Sequence, residues 1–368
     1  MGQLTGHFSR FPLMALGMIA LLAAMWAGLI RLGWALPLLQ PTLPMSHGPL
    51  IVCGFLGTVI GVERAVALGR PWTYLGPLLT GLGGLALIGG LPAPVGPLLI
   101  TLGSLMLVVV FGLILRLQLA AFTLTMAIGA LLWLVGNTFW LLGWPVYQIV
   151  LWWMGFLILT IAGERLELNR VLRLSGQVQQ LFQFAVGLFL AGLVLTSIAG
   201  LVSPAFTFDL GVRLASIGLV ALAVWLLRYD IARYTVRKTG LTRFIAVCLL
   251  TGYVWLGVGG LLGLYYGGVT AGLPYDAILH AVFVGFVMSM IFGHAPIIFP
   301  AVLGKPMNFS SLFYTHLALL HLSLLLRVLG DVMVWLPARQ WGGLLNVVAI
   351  LLFIANTVRA VHQSGRNV

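Results

Sequence analysis

Histidines within apolar stretches are the residues of this sequence with the clearest chemical potential. Five of the seven histidines lie inside or at the ends of such stretches: His47, His280, His294, His316 and His321. An imidazole can ligate a metal, carry a proton or hydrogen-bond to the backbone. Ionisable residues at membrane depth are costly and by default mark function. What these five can do depends on the segments that carry them.

Those segments are typical of a polytopic membrane protein. Of the 368 residues 61% are hydrophobic and 7% are charged, whereas a soluble domain carries about 25% charged residues. A membrane-spanning helix needs about 20 mostly apolar residues. The sequence therefore predicts an all-α fold, one transmembrane domain over 1–368 with twelve spans: 11–34, 47–68, 73–91, 95–115, 120–143, 146–164, 180–202, 207–227, 243–266, 278–302, 309–330 and 340–361.

The basic residues predict the orientation of these spans. The net charge is +12, but the charges sit in short loops and form no basic domain, so we expect membrane lipid and not nucleic acid as a partner. With a cytoplasmic N-terminus, 15 of the 19 Lys and Arg residues fall inside and 4 outside. The stretch from Phe11 to Ile30 is too long for a signal-peptide core. We expect a bacterial-type inner membrane protein with both termini cytoplasmic.

Predicted helices 2, 6 and 10 share a pattern. In each, a Gly-Phe pair begins nine positions before a polar residue: Gly54 and Glu63, Gly155 and Glu164, Gly285 and His294. The glycines are separated by 101 and 130 positions, an offset of four helices each time. This pattern favours three four-helix repeats, at about 11–115, 120–227 and 243–361, in a pseudo-threefold arrangement. The alternative is chance, because Gly-Phe is common in membrane helices.

Two of the histidines could ligate a haem. His47 opens helix 2 and His280 opens helix 10, and both helices are predicted to start at the outer face. Two histidines on different helices, facing each other across a bundle, can supply both axial ligands of a haem. Each ring then needs an acceptor for its other nitrogen, which nearby carbonyls or Asp276 could supply. The alternative is a pair of interfacial histidines bonded to headgroups or backbone.

His294, His316 and His321 form a second candidate group on helices 10 and 11. Counted from the inner face at about 1.5 Å per residue, His294 and His316 lie at similar depth. On a regular helix His280 and His294 would point about 40° apart. One interpretation is a metal or second haem site. The other is a hydrogen-bonded polar cluster that locks two helices together.

The inner ends of helices 2 and 6 carry acid-base pairs, and the cysteines carry no metal pattern. Glu63-Arg64 and Glu164-Arg165 are candidates for a proton or polar network. The alternative is that each Arg faces the cytoplasm while each Glu pairs with a neighbouring Arg. The two cysteines, Cys53 and Cys248, lie in separate apolar spans and form neither a disulfide framework nor a Cys-x-x-Cys motif.

Two short motifs resemble the NnrS family. The resemblance lies in Ser46-His47-Gly48-Pro49-Leu50-Ile51-Val52-Cys53-Gly54-Phe55 and in His280-Ala281-Val282-Phe283-Val284-Gly285. It implies a twelve-helix, haem- and copper-containing membrane protein linked to nitric oxide stress, with His47 and His280 as axial ligands. The pattern is more distantly similar to subunit I of haem-copper oxidases and nitric oxide reductases. Helix 6 lacks the oxidase histidine, so an oxidase-type binuclear centre is not expected.

The resulting hypothesis is a membrane protein with haem, of b type, in nitric oxide or respiratory redox chemistry. Copper or a second haem is the further cofactor considered, and a redox partner and nitric oxide are the expected partners. As an enzyme it would be a haem-dependent oxidoreductase. The alternatives are an assembly subunit, or a transporter or channel whose polar path is lined by histidines 294, 316 and 321 and the two glutamates. Many transporters use twofold repeats, so a threefold repeat favours the haem hypothesis.

Overall fold

The computed structural model describes residues 10–202 and 204–364, and every regular element in that part of the chain is helical. Twelve long helices run through it, numbered here in chain order: α1 Arg10–Arg31, α2 Leu43–Leu68, α3 Leu75–Ile88, α4 Val95–Leu117, α5 Ala121–Leu141, α6 Val146–Leu168, α7 Gly176–Val202, α8 Pro204–Tyr229, α9 Gly240–Tyr266, α10 Gly272–Val302, α11 Phe313–Val332 and α12 Leu336–Ser364. The all-α, polytopic prediction is confirmed.

Eleven of these helices are long and apolar enough to cross a membrane, within the residues described. The exception is α3, which has 14 residues and follows directly on a 3₁₀ turn at Pro71–Tyr74. The turn rises about 2.0 Å per residue and the helix about 1.5 Å, so together they extend about 29 Å. That length approaches the roughly 30 Å thickness of a bilayer core, so the segment predicted as the span 73–91 comes close to the length that a crossing needs.

The chain divides into two compact units. One contains the described residues up to Gly163 together with Ile297–Pro306, and the other contains Glu164–Pro296 together with the described residues from Met307 onwards. The division falls within α6 and α10, and it does not follow the predicted repeat boundaries. The three four-helix repeats therefore remain a prediction.

Helix packing in the first unit depends on glycines. A Cβ at Gly54 of α2 would lie 3.0 Å from the Cβ of Ala20 on α1, and one at Gly57 would lie 2.3 Å from the Trp133 ring on α5. Real Cβ atoms rarely come as close as 3.0 Å to another atom and essentially never come closer, so a side chain at either position would force its neighbour to shift. Small residues at such crossings let backbones approach, which drives helix association in lipid.

Both α2 and α10 contain a π-helical segment of eight residues. In α2 it covers Leu50–Gly57, and in α10 it covers Ala281–Met288. The Gly-Phe pair of the sequence pattern occupies the fifth and sixth positions of both segments. By contrast α6, which carries the third copy of the pattern, is α-helical throughout Val146–Leu168. π-helical turns are rare and are often found at functional sites.

Candidate functional site

His47 lies just before the π-helix of α2, on a short helical turn that follows a 3₁₀ turn at Leu43–Ser46. Its Nδ1 is 2.7 Å from the carbonyl oxygen of Ala24 on α1. Gly28, one turn further along α1, makes room for the ring, since a Cβ there would lie 2.9 Å from His47 Cε1. The imidazole is therefore clamped against one face of α1.

His280 lies directly before the π-helix of α10 and has two neighbours on its Nδ1 side. Nδ1 is 2.9 Å from the carbonyl oxygen of Asp276 and 3.4 Å from the Oδ1 atom of the same residue. His294, which follows the π-helix of α10, has the same kind of contact: its Nδ1 is 2.7 Å from the carbonyl oxygen of Met290. The π-helix lies between His280 and His294, so the 40° separation expected on a regular helix does not apply.

These contacts assign the ring proton in His47, His280 and His294. A backbone carbonyl can only accept a hydrogen bond, so Nδ1 is the protonated nitrogen of each neutral ring. The lone pair then resides on Nε2. Metal-ligating histidines almost always donate their other ring N–H to a carbonyl or a carboxylate in this way. The three imidazoles thus share the tautomer expected of ligands that bind through Nε2.

His316 and His321 have the opposite tautomer. The Nε1–H of Trp255 donates to Nδ1 of His321 at 3.0 Å, and an indole has no acceptor that would reverse the bond. The amide nitrogen of Asn356 lies 3.1 Å from Nδ1 of His316 and also donates to the carbonyl of Leu312, which identifies it as the donor. In both neutral rings the proton is therefore on Nε2, and the Nδ1 lone pair accepts the hydrogen bond from the protein donor.

Packing supports a structural role for His316. Its ring is buried and lies edge-on to Phe292, with ring centroids 4.9 Å apart, and three further phenylalanines surround it: Phe244, Phe313 and Phe353. These side chains come from α9, α10, α11 and α12. His316 therefore belongs to an aromatic core that joins four helices of the second unit.

The structure does not assemble the predicted metal group. Within the described ranges no three His, Cys, Asp or Glu side chains are gathered so that they could hold a metal ion, and this applies to His294, His316 and His321. Their tautomers give the physical reason, because two of the three use Nδ1 as an acceptor for a protein donor. Metal or haem binding at His294 with fewer than three protein ligands stays a prediction.

The charged pairs of α2 and α6 differ from each other. Glu63 Oε1 lies 3.5 Å from Nη2 of Arg64, so these sequence neighbours form a loose ion pair. Arg165 does not face the solvent. It makes two hydrogen bonds of 2.8 and 2.9 Å to Asp230, and both side chains are buried, at 4% and 0% exposure. The expectation of a solvent-facing Arg165 is therefore wrong, because Asp230 provides a partner inside the protein.

Asp230 also organises the loop between α8 and α9. Its Oδ1 accepts a hydrogen bond from the backbone N–H of Ala232 at 2.6 Å, at the start of a one-turn helix. The side chain of Asn169 accepts another from the N–H of Ile231 at 2.9 Å. Arg165 lies in the last turn of α6, and Asn169 begins the 3₁₀ turn Asn169–Leu172 that follows this helix. The sequence gives no local signal for these contacts because the partners are more than 60 positions apart.

Cys53 lies in the π-helix of α2 within a buried polar cluster that the sequence did not indicate. The indole N–H of Trp133 donates to Cys53 Sγ at 3.3 Å, and the thiol donates to Asn137 Oδ1 at 3.5 Å. Trp153 also donates to Asn137 Oδ1, at 2.9 Å. Asn137 is fully buried. The cysteine therefore works as a hydrogen-bonding core residue that ties α2 to α5, and through Asn137 to α6.

A second ionic cluster surrounds His280. Asp276 receives two hydrogen bonds from Arg327 of α11, at 3.0 and 3.1 Å, and its Oδ1 lies 3.5 Å from Nη2 of Arg339 in α12. Arg339 Nε is 2.8 Å from Oδ1 of Asp331. An acid four positions before a histidine is a pattern that sequence can show. The two arginines come from later helices and could not be inferred.

These features define a class: a multi-pass, all-α protein whose long apolar helices carry buried ion pairs and carbonyl-oriented histidines. The chain belongs to the family described as Domain of unknown function (DUF8744), whose model matches residues 10–362. No curated protein matches the sequence.

Proposed function

We propose that this protein is a haem-binding integral membrane protein, with His47 and His280 as axial ligands, acting in nitric oxide or respiratory redox chemistry. The proposal depends on one observation above all. Both histidines direct Nδ1–H to a backbone carbonyl and so present Nε2 as the basic nitrogen. The resemblance of the surrounding residues to the NnrS family suggests the type of reaction, which is nitric oxide or respiratory redox chemistry.

The donor set fits haem iron. Neutral imidazole nitrogen is a common axial ligand of haem. When bound, a haem would supply one-electron redox chemistry or binding of a small molecule such as nitric oxide. The contribution of this chain would be to hold the rings: α1 fixes His47 through Ala24 and Gly28, and α10 fixes His280 through Asp276.

The position of both histidines beside a π-helix adds to this proposal. His47 precedes its π-helix by three residues and His280 precedes its own by one. A π-helical segment has an intrinsically less favourable hydrogen-bonding register than an α-helix, so its presence twice, next to the two candidate ligands, favours a functional role. Helix α6 has the Gly-Phe pair but neither a π-helix nor a histidine.

The test is the reduced-minus-oxidised absorption spectrum of protein purified from haem-replete cells. We expect wild-type protein to show the Soret and α bands of a low-spin b-type haem, and His47→Ala and His280→Ala each to lose them. The matched control is His321→Gln, a half-buried histidine of the opposite tautomer, which should keep the bands. A haem-free wild type, or a His321→Gln variant that loses the bands while either alanine variant keeps them, would overturn the proposal.

A further cofactor, copper or a second haem, would use His294 and not His316 or His321. His294 is the remaining histidine within the spans whose Nδ1 donates to a carbonyl. Metal analysis of purified protein tests this extension. Copper or extra iron that disappears in His294→Ala but persists in His316→Asn is the expected result, and the reverse pattern would contradict it.

We also propose a bacterial-type inner membrane as the location, with both termini cytoplasmic. This orientation is supported by the basic residues, because it puts 15 of them on the cytoplasmic side and 4 on the outer side. It places the Arg165–Asp230 pair at the cytoplasmic end of α6, and the His280–Asp276 cluster toward the outer end of α10. The basic loop that Asp230 organises would then face the cytoplasm.

A further inference from the structure

The two candidate ligands are oriented by chemically different groups. The Nδ1–H of His47 donates to the neutral carbonyl of Ala24, and Gly28 of α1 lies directly against the ring. The Nδ1–H of His280 meets a carbonyl and, at 3.4 Å, a carboxylate oxygen of the same residue, Asp276. At 3.4 Å the carboxylate is at the limit of hydrogen bonding, so its effect on the ring is mainly electrostatic.

The carboxylate of Asp276 is held in place from two other helices. Arg327 of α11 donates two parallel N–H hydrogen bonds to it. This bidentate geometry fixes a carboxylate in orientation as well as position. Arg339 of α12 approaches its Oδ1 and also pairs with the buried Asp331. The cluster of two acids and two arginines is formally neutral, so the protein can keep it in a poorly solvated place.

Apolar packing surrounds this cluster and limits its movement. Ala277, next to Asp276, and Val328, next to Arg327, are buried together with Leu324. Trp255 and Val284 pack against the same group. A charged network set in close-packed side chains has few alternative arrangements, so the carboxylate has a fixed relation to the His280 ring.

We propose that Asp276 is the positioning residue of His280, and that Arg327 sets how strongly its carboxylate acts on the ring. A carboxylate beside the Nδ1–H raises the basicity of a ligating imidazole and orients it. A more basic ligand stabilises the oxidised iron. Arg327 opposes this effect because it draws the negative charge toward itself. The inference rests on the proposed haem function and adds to it the residues that set the redox potential.

The experiment is a redox titration of the haem in Asp276→Asn and Arg327→Gln, followed by absorption. Asp276→Asn should raise the midpoint potential, so that the reduced-to-oxidised ratio at a fixed potential rises about tenfold, equal to about 59 mV for one electron. Arg327→Gln should shift the potential in the opposite direction. The g-values of the oxidised low-spin haem should stay near those of wild type in Asp276→Asn, because the backbone carbonyl of residue 276 still accepts from Nδ1–H and keeps the ring orientation.

The matched control is Asp209→Asn. Asp209 also pairs with an arginine, Arg213, at 2.7 Å, but it lies on α8 and no histidine contact is found for it within the described chain. Its variant should leave the potential unchanged. Shifts of the same sign in Asp276→Asn and Arg327→Gln, or no shift in either while wild type binds haem, would overturn this inference alone.

Two other outcomes are also decisive. If Asp276→Asn does not assemble, the sign of the shift in Arg327→Gln decides, with a lower potential supporting the inference and an unchanged or higher one overturning it. If wild-type protein carries no haem, the proposed function fails first and the inference fails with it.

Discussion

At the scale of single residues, the partner of Nδ1 separates the histidines within the spans into two chemical kinds. Three donate to carbonyls, and two accept from Trp255 and Asn356. The sequence puts all five histidines in or beside apolar segments but does not reveal this distinction. The tautomer depends on neighbours as far as 66 positions away, and no local pattern reports them.

Gly28 gives a test of ligand placement that leaves every ligand atom intact. In Gly28→Ala the new methyl group would lie 2.9 Å from His47 Cε1, so the ring must move. We expect the haem content to fall severalfold, or the low-spin spectrum to change, although His47 is present. The measurement is haem per protein by absorption. Gly112→Ala, where a Cβ meets nothing within 4 Å, is the control and should match wild type; equal behaviour of the two variants would contradict the placement.

At the scale of elements, the sequence predicts that α2, α6 and α10 occupy equivalent places, and this equivalence stays a prediction. It rests on the equal spacing from Gly-Phe to a polar residue in the three helices. The π-helical segments at the same positions were not predicted, because a π register is not favoured by any local residue preference and must be held by tertiary contacts. Trp133 against Gly57 in α2 and Trp255 against Gly285 in α10 are such contacts.

Gly285 should be intolerant of even a methyl group. A Cβ there would lie 2.4 Å from Cγ of Trp255, the residue that also donates to His321. We expect Gly285→Ala to destabilise the protein by about 1–3 kcal/mol, the usual range for overpacking. Gly187→Ala, at an open position of α7, should be neutral or slightly stabilising. The midpoint of thermal unfolding in detergent measures both, and an unchanged midpoint in Gly285→Ala would show that the π-helix can shift.

The Arg165–Asp230 pair should be far more important for stability than an exposed pair nearby. Removing one partner of a buried ion pair typically costs about 3–5 kcal/mol, because the other charge is left in a poor environment. We therefore expect Asp230→Ala to unfold at a much lower temperature. Glu167→Ala breaks an exposed pair with Arg170, at 36% and 58% exposure, and should cost about 0–1 kcal/mol.

A double variant, Arg165→Leu with Asp230→Leu, separates the pair from the loop. It removes both charges together and should recover part of the lost stability. A double variant no better than Asp230→Ala would show that the hydrogen bond from Ala232 N–H, and not the ion pair, carries the effect.

At the scale of the whole molecule, hydropathy and charge predicted the helices well and the ionic contacts poorly. Each of the twelve predicted spans coincides with one of α1–α12, because apolar length alone defines a spanning helix. Ion pairs with an arginine are formed by Glu63, Glu167, Asp209, Asp230, Asp276 and Asp331. Only the pairs close in sequence could have been inferred, because the others join separate helices.

The orientation can be tested with reporter fusions. A periplasm-active reporter placed in the α9–α10 loop, within 267–271, should be active, and one at the C-terminus should be inactive, since the positive-inside rule places these sites on opposite sides. A cytoplasm-active reporter should give the complementary result. Activity of the same reporter at both sites would require a different number of crossings.

The cluster around His280 also has a consequence for how the chain enters the membrane. Asp276 lies in the first turns of α10, and its arginines follow in α11 and α12. A charged residue is costly in lipid without a partner, so α10 gains its full stability only after the next two helices have been synthesised. A chain that stops after α10 should therefore insert poorly and be degraded, whereas one that continues through α12 should insert its last three helices as a single cooperative unit.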